Sequence, residues 1–305
     1  MSAEKKLRHS PAIFLPRHLS NRCSMSLISA MSVKVGDEGR VLFHVIISIA
    51  NNKGGTGKTT TAVNLGTALA AAGRQVLLVD MDPQGSATVS FGFEKSKLLY
   101  TIYDVLAQSR KIEAVMLETK VENLTVVPSN LDLAGAEVEL SSVRGREFVL
   151  REALEAAKRR FDVVILDCPP NIGILTVNAI VACDLLMVPV QCEFYSMDGF
   201  PTLLRFIRMV KSRAKTDFDF IVLLTMYDGR TGLAKKIQRE LREKFGDHVV
   251  KSVIPRSVKM AEAPSKGIPG IIYSPTNKAS LEYQRLAKDM LENSLADTVL
   301  TKLAS

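Results

Sequence analysis

The run Lys53-Gly54-Gly55-Thr56-Gly57-Lys58-Thr59-Thr60 concentrates residue types that handle phosphate. Glycines let successive backbone N–H groups turn inward around phosphate oxygens, and a helix starting there adds partial positive charge. Lys58 would reach the terminal phosphates, and the Thr59 hydroxyl would sit on a magnesium ion. The usual pattern has a glycine where this chain has Asn52, and Lys53 adds a second lysine at the loop mouth. That lysine would bridge its own phosphates or reach phosphates held by a second subunit; the plain alternative is an exposed, solvated charge. A dinucleotide-binding turn would want a third glycine at position 60, where Thr60 stands.

Carboxylates supply the complementary chemistry. Val76-Leu77-Leu78-Val79 runs into Asp80-Met81-Asp82-Pro83-Gln84-Gly85, and Val163-Val164-Ile165-Leu166 into Asp167-Cys168-Pro169-Pro170. Asp80 would hold a magnesium ion's water shell while Asp82 orients an attacking water; an Asp-Pro turn with solvated charges is the competing account. Asp167, ending four apolar residues, is placed to hold magnesium through water. Transfer of a phosphoryl group to water needs positioning and charge neutralisation, and Lys58, Thr59 and Asp167 are the parts for it.

Short apolar runs must position these groups. Strands are expected at 41–50, 75–80, 124–127, 162–167, 185–190, 218–225 and 249–254. Most are near-continuous Val/Ile/Leu, as strands buried on both faces of a parallel sheet read. Helices are expected at 59–72, 143–159, 174–181, 196–213, 232–245 and 279–295, with Gly73 and Gly246 as C-terminal caps. The expectation is an α/β fold, a single doubly wound and mostly parallel sheet with helices on both faces. Ligands of such folds bind at the carboxyl ends of strands, where the residues above fall.

The 305-residue chain is 47% hydrophobic, ample for a buried core. Of its +8 net charge, +4 lies in residues 1–40, which hold seven Lys/Arg against three acids. Those residues read as a disordered basic leader, a poor cleaved signal or an over-extended start, with the folded domain at 41–305. The folded part is only mildly basic, which permits an anionic partner without requiring one. Cys23, Cys168, Cys183 and Cys192 show no C-x-x-C spacing and read as buried thiols in a reducing cytosol. No stretch approaches the ~18 apolar residues of a membrane helix.

The loop from Lys53 to Thr60, the Asp80–Gln84 segment and Asp167–Pro170 together resemble the deviant Walker A ATPases of the ParA/MinD superfamily. Further segments resemble its ParA/Soj branch, which segregates chromosomes and plasmids: Leu131 to Glu137, Pro189 to Glu193, Thr225 to Thr231, and Val253 to Arg256 leading to Glu262 to Ser265. The resemblance spans roughly residues 41–295. It implies slow hydrolysis of ATP with Mg2+ and an ATP-dependent sandwich homodimer in which Lys53 contacts phosphate across the interface. Asp82 would position the hydrolytic water, and Met226 and Pro255 would contact the base. The ATP dimer would bind double-stranded DNA without sequence preference, presenting Arg230 and Lys259, and a ParB-like partner would stimulate turnover and release. Such a protein is cytoplasmic and sits on the nucleoid when ATP-bound. Many relatives have arginine at 259; Lys259 keeps the charge but loses the bidentate fork. Asn52, where glutamine is common, and Asn171-Ile172 also depart from the pattern, without removing a group the chemistry needs.

Three other functions share this scaffold. A MinD-like membrane-surface ATPase would need a basic amphipathic C-terminal helix, yet 291–305 holds Glu292, Asp297 and only Lys302. A nitrogenase-reductase-like protein would need cysteines placed to bridge an iron–sulfur cluster. A DNA-binding regulator would use ATP structurally and show no turnover.

Overall fold

The computed structural model describes the backbone of residues 32–35, 41–193 and 196–304, and burial from residue 44 to 193 and 202 to 292. The strands are β1 (Ser32–Val35), β2 (Val41–Ile49), β3 (Val76–Asp80), β4 (Leu117–Glu118), β5 (Leu124–Val127), β6 (Val163–Asp167), β7 (Leu185–Gln191), β8 (Asp219–Tyr227) and β9 (Val249–Pro255). They form one sheet in the order β4-β5-β3-β6-β2-β7-β8-β9, and β1 pairs antiparallel with the start of β2. Only the two-residue β4 is antiparallel within that path. The carboxyl ends of β3, β6, β2, β7, β8 and β9 therefore open onto one rim, and the glycine-rich loop leaves from the middle of it.

Strand sequence dictates this layering. Side chains alternate across a strand, so a continuous apolar run feeds two cores. Ile46, Leu77, Val79, Val164 and Leu166 point into one hydrophobic cluster. Val45, Ile47, Ile49, Val76, Leu78, Val163 and Ile165 point into the other. On the second face, α1 (Lys58–Ala71) contributes Ala62, Leu65 and Leu69, and α11 (Lys278–Ala304) contributes Tyr283, Leu286 and Met290. The first face is covered by six helices: α3 (Ile102–Gln108), α4 (Leu133–Glu139), α5 (Val149–Leu154), α6 (Ile174–Ala182), α7 (Ser196–Ala214) and α8 (Gly232–Phe245). Short helices α2 (Ser86–Ser90), α9 (Val258–Glu262) and α10 (Gly270–Tyr273) lie beside the rim loops. The fold is the doubly wound α/β sheet expected.

Several elements depart from their sequence-based bounds. The helix expected over 143–159 is helical only at α5, with a 3-10 turn at Ala157–Arg159. Gly145 takes a left-handed backbone, φ +74°, and Asn178 of α6 accepts from the Leu150 N–H while donating to the Arg146 carbonyl. A partner on another helix thus replaces the first helical turn. Helices α2, α3 and α4 were not legible because each is seven residues or fewer, too short to show a period. Cys168, Cys183 and Cys192 are buried free thiols, whereas Cys23 lies outside the described residues, as does most of the basic leader. Among the described residues no helix is long and apolar enough to cross a membrane.

Candidate nucleotide site at the strand ends

The loop between β2 and α1 is shaped by groups from β7 and β8. Asn51 donates to the Pro189 carbonyl at 2.7 Å, and its own oxygen accepts the Lys53 N–H at 3.0 Å. Thr225 at the end of β8 donates to the Thr56 carbonyl at 2.8 Å, and the Gln191 amide donates to the Gly55 carbonyl. Gly55 and Gly57 sit at φ +72° and +87°, a region that side chains rarely enter, which is why glycines stand there. Gly57 precedes α1, whose first turn has neither a side-chain cap nor an acidic residue. Its leading N–H groups are thus left to an anion. The helix is pinned from behind: Thr61 pairs with the Tyr283 hydroxyl at 3.1 Å, and Asn64 accepts the Ile271 N–H at 2.9 Å.

Lys58 is buried and its ammonium donates back to the Lys53 carbonyl at 3.2 Å. Burial lowers its pKa, opposed first by the Asp167 charge and more weakly by Asp82. Lys53 stands at the mouth, half-exposed, with its ammonium 3.9 Å from Glu193.

The two strand-end carboxylates have opposite environments. Asp80 is fully buried and satisfied: one oxygen accepts both the N–H and hydroxyl of Thr88, at 2.8 and 2.7 Å, and the other accepts the Asp82 N–H at 3.2 Å. Thr88 also takes the Ser129 N–H, tying the ends of β3 and β5 together. Asp167 is equally buried, yet neither of its oxygens holds a well-formed hydrogen bond; the Thr59 hydroxyl beside it and the Lys58 charge relieve it only in part. Burial, then the neighbouring Asp80 charge, pushes the Asp167 carboxyl well above the usual carboxylate range. An unpaired buried carboxylate is expensive unless it meets a cation, so these residues fit a divalent ion beside the Thr59 hydroxyl. Asp82 accepts the Gln84 N–H at 2.9 Å and stays half-buried on the rim.

Beyond the loop lies a cavity of about 350 Å³ lined by Gly57, Thr60, Met226, Pro255, Arg256 and Tyr283, among others. Its walls are mostly apolar, suited to a planar base. Met226 has φ +49°, inside an irregularity of the β8–β9 register that interrupts pairing between Leu224 and Tyr227. Such bulges re-aim side chains. Arg230, on an exposed turn, and Lys259, exposed on α9, lie outside this cavity. The Arg230 fork grips Asp228 at 2.8 and 2.7 Å and holds that carboxyl down at about 2. Lys259 pairs with Glu262 at 2.9 Å.

The structure thus brings Lys53, Lys58, Thr59, Asp80, Asp82 and Asp167 onto one rim and puts Met226 with Pro255 in one cavity. Sequence reasoning assigned no role to Asn51, Thr88, Gln191, Glu193, Thr225 or Arg256. Four of these lay inside quoted motifs, but their partners are more than 20 residues away in sequence; Thr88 carried no signal at all.

A parallel sheet with this loop at the end of its central strand defines a P-loop nucleoside triphosphatase of the deviant Walker A type. Residues 44–220 match the AAA domain family. Soj of Bacillus subtilis, a sporulation initiation inhibitor protein, is 47% identical over 249 residues, covering 81% of this chain and 98% of the relative. The chromosome partitioning protein ParA of Caulobacter vibrioides is 42% identical, with 81% and 93% covered. Among solved structures, cobyrinic acid a,c-diamide synthase from Mycobacterium smegmatis, with bound ADP and magnesium, is 35% identical at a TM-score of 0.72, covering 81% of this chain and 94% of that one. The septum site-determining protein MinD of Pyrococcus horikoshii, complexed with Mg-ADP, is 25% identical at 0.66, with 81% and 95% covered. The chain belongs to the ParA/Soj family of partitioning ATPases.

Proposed function

We propose that this chain hydrolyses ATP slowly as a switch: its ATP-bound homodimer holds double-stranded DNA without sequence preference, and hydrolysis stimulated by a ParB-like partner releases it. The observation that carries the reading is a second lysine, Lys53, at the mouth of a complete phosphate loop, in a chain 47% identical to Soj. A two-state switch needs a ligand with different affinity for the two states. Lys53 provides it by contacting phosphate across a dimer interface.

Within one protomer, the loop N–H groups from Gly54 to Thr60 and the Lys58 ammonium bind the phosphates, and Met226 and Pro255 flank the base. Mg2+ would be held by Thr59 and Asp167, and Asp80 would reach its water shell with lone pairs left beside the Thr88 and Asp82 bonds. When bound, the ion neutralises charge on the phosphates. Asp82 orients the attacking water, and its place on the rim is kept by the Asp80–Thr88 pair beneath it. Arg230 and Lys259 offer exposed cations to DNA phosphates, and they position the protein without reading bases. The domain so described would span residues 41–305, working in the cytoplasm and on the nucleoid when ATP-bound.

The test is binding of the purified protein to arbitrary duplex DNA with ATP, with ADP and without nucleotide, all with Mg2+. Binding confined to the ATP state is expected. Equal binding in the three states, or none, would remove the partition reading and leave an ATPase acting on another surface.

A further inference from the structure

Glu193 lies two residues beyond β7, at the point where that strand meets the loop. Its neighbours are anchored on both sides of the site: Gln191 donates to the Gly55 carbonyl, and the Cys192 N–H to the Thr225 carbonyl at 3.3 Å. The Glu193 carboxylate then faces two cations that come from distant strands. One oxygen lies 3.9 Å from the Lys53 ammonium and the other 3.6 Å from the Arg256 guanidinium. Lys53 follows β2, whereas Arg256 follows β9 and lines the apolar cavity with Met226 and Pro255. One carboxylate therefore spans the mouth from the phosphate loop to the cavity wall.

We propose that Glu193 is a positioning residue that reserves Lys53 and Arg256 within one protomer, so that nucleotide phosphate captures Lys53 only by displacing it. The proposal rests on the nucleotide reading of the site. An ammonium shared between a carboxylate and a polyphosphate favours the more highly charged anion, but it must first give up the contact it has. Half-exposed pairs of this kind shift an equilibrium by about two- to five-fold. That is enough to raise the ATP concentration needed for engagement without preventing it. Arg256, freed from competition with Lys53, stays on Glu193 and keeps the β7 loop against the cavity.

The experiment measures binding of a fluorescent ATP analogue with Mg2+ to the full chain and to Glu193→Gln, Lys53→Ala and the double variant, at low and at high salt. Glu193→Gln is expected to bind about two- to five-fold tighter at low salt, with the gain shrinking as salt screens the pair. The gain should vanish when Lys53 is already alanine, since the two residues then no longer couple. Unchanged or weaker binding by Glu193→Gln, in a wild-type chain that binds the analogue, overturns this proposal alone. So does a gain that survives in the Lys53→Ala background. A wild-type chain that does not bind the analogue overturns the nucleotide reading, and this proposal with it.

Discussion

Asp80 and Asp167 are register partners at the carboxyl ends of the adjacent parallel strands β3 and β6, and both are fully buried. Two like charges held side by side away from water each make the other harder to ionise. Asp80 has three hydrogen bonds to offset this and Asp167 little beyond the nearby Thr59 hydroxyl and Lys58 charge, so the pair is electrostatically lopsided, with the unmet need for a cation concentrated on Asp167.

The first consequence is a pH dependence. Burial pushes the Asp80 carboxyl up to about 6 from 3.8, against the lowering effect of the Thr88 bonds. The folded chain thus holds a proton that the unfolded chain has already lost. Metal-free stability is present below the unfolded value and declines as pH rises from about 4 to about 6, with Asp167 extending the decline upward. Mg2+ competes with those protons, so stabilisation by Mg-ATP should grow through the same range. Thermal melting at pH 5 to 8, with and without Mg-ATP, checks it; an increment that does not change with pH would refute the metal assignment.

Replacing Asp167 with Asn removes the unpaired buried charge. In the absence of metal the variant should be more stable at neutral pH by about 1 kcal/mol, because a neutral amide sheds the cost of burying a charge while its own polar atoms stay unmet. That corresponds to a rise of roughly 2–4 °C in Tm per kcal/mol for a domain of this size. Turnover and the Mg2+-dependent part of the Tm should disappear together. A variant that is less stable and still active would place the ion elsewhere.

The two loop-side residues should separate by assay. Lys53→Ala is expected to lose ATP-dependent dimerisation, read by light scattering. Asp82→Ala should still dimerise with ATP while kcat falls about 100-fold or more, since it removes the group that positions the water. Its DNA-bound state should be prolonged. Normal dimers from Lys53→Ala, or wild-type hydrolysis by Asp82→Ala, would each remove the corresponding role.

Arg230 and Lys259 are each held by a local carboxylate, Asp228 and Glu262. If DNA phosphates take over from those carboxylates, each alanine variant should weaken ATP-dependent DNA binding uniformly across sequences. Each should also lower the slope of log affinity against log salt by about 1. Titrations at several salt concentrations decide; an unchanged slope would leave both as ordinary surface charges.

Much of this was legible in the chain because its signals are local. A glycine-rich octet between a strand and a helix, and apolar runs that stop at an aspartate, need no knowledge of distant residues. Sequence by itself determined the sheet, the loop and the rim on which Lys58, Thr59, Asp80 and Asp167 would gather. It did not distinguish Asp80 from Asp167, since each ends a similar apolar strand. Asp162, one residue before β6, accepts the Gln75 N–H at the opposite rim, where no ligand was expected. Tertiary structure alone decided that Asp80 is bound to Thr88 while Asp167 lacks such bonds, that a bulge turns Met226 into the cavity, and that Glu193 faces Lys53 and Arg256. The reason is physical: a carboxylate's chemistry is set by the donors and charges within a few ångströms. Here those come from strands and loops far apart in sequence, which only the folded sheet brings together.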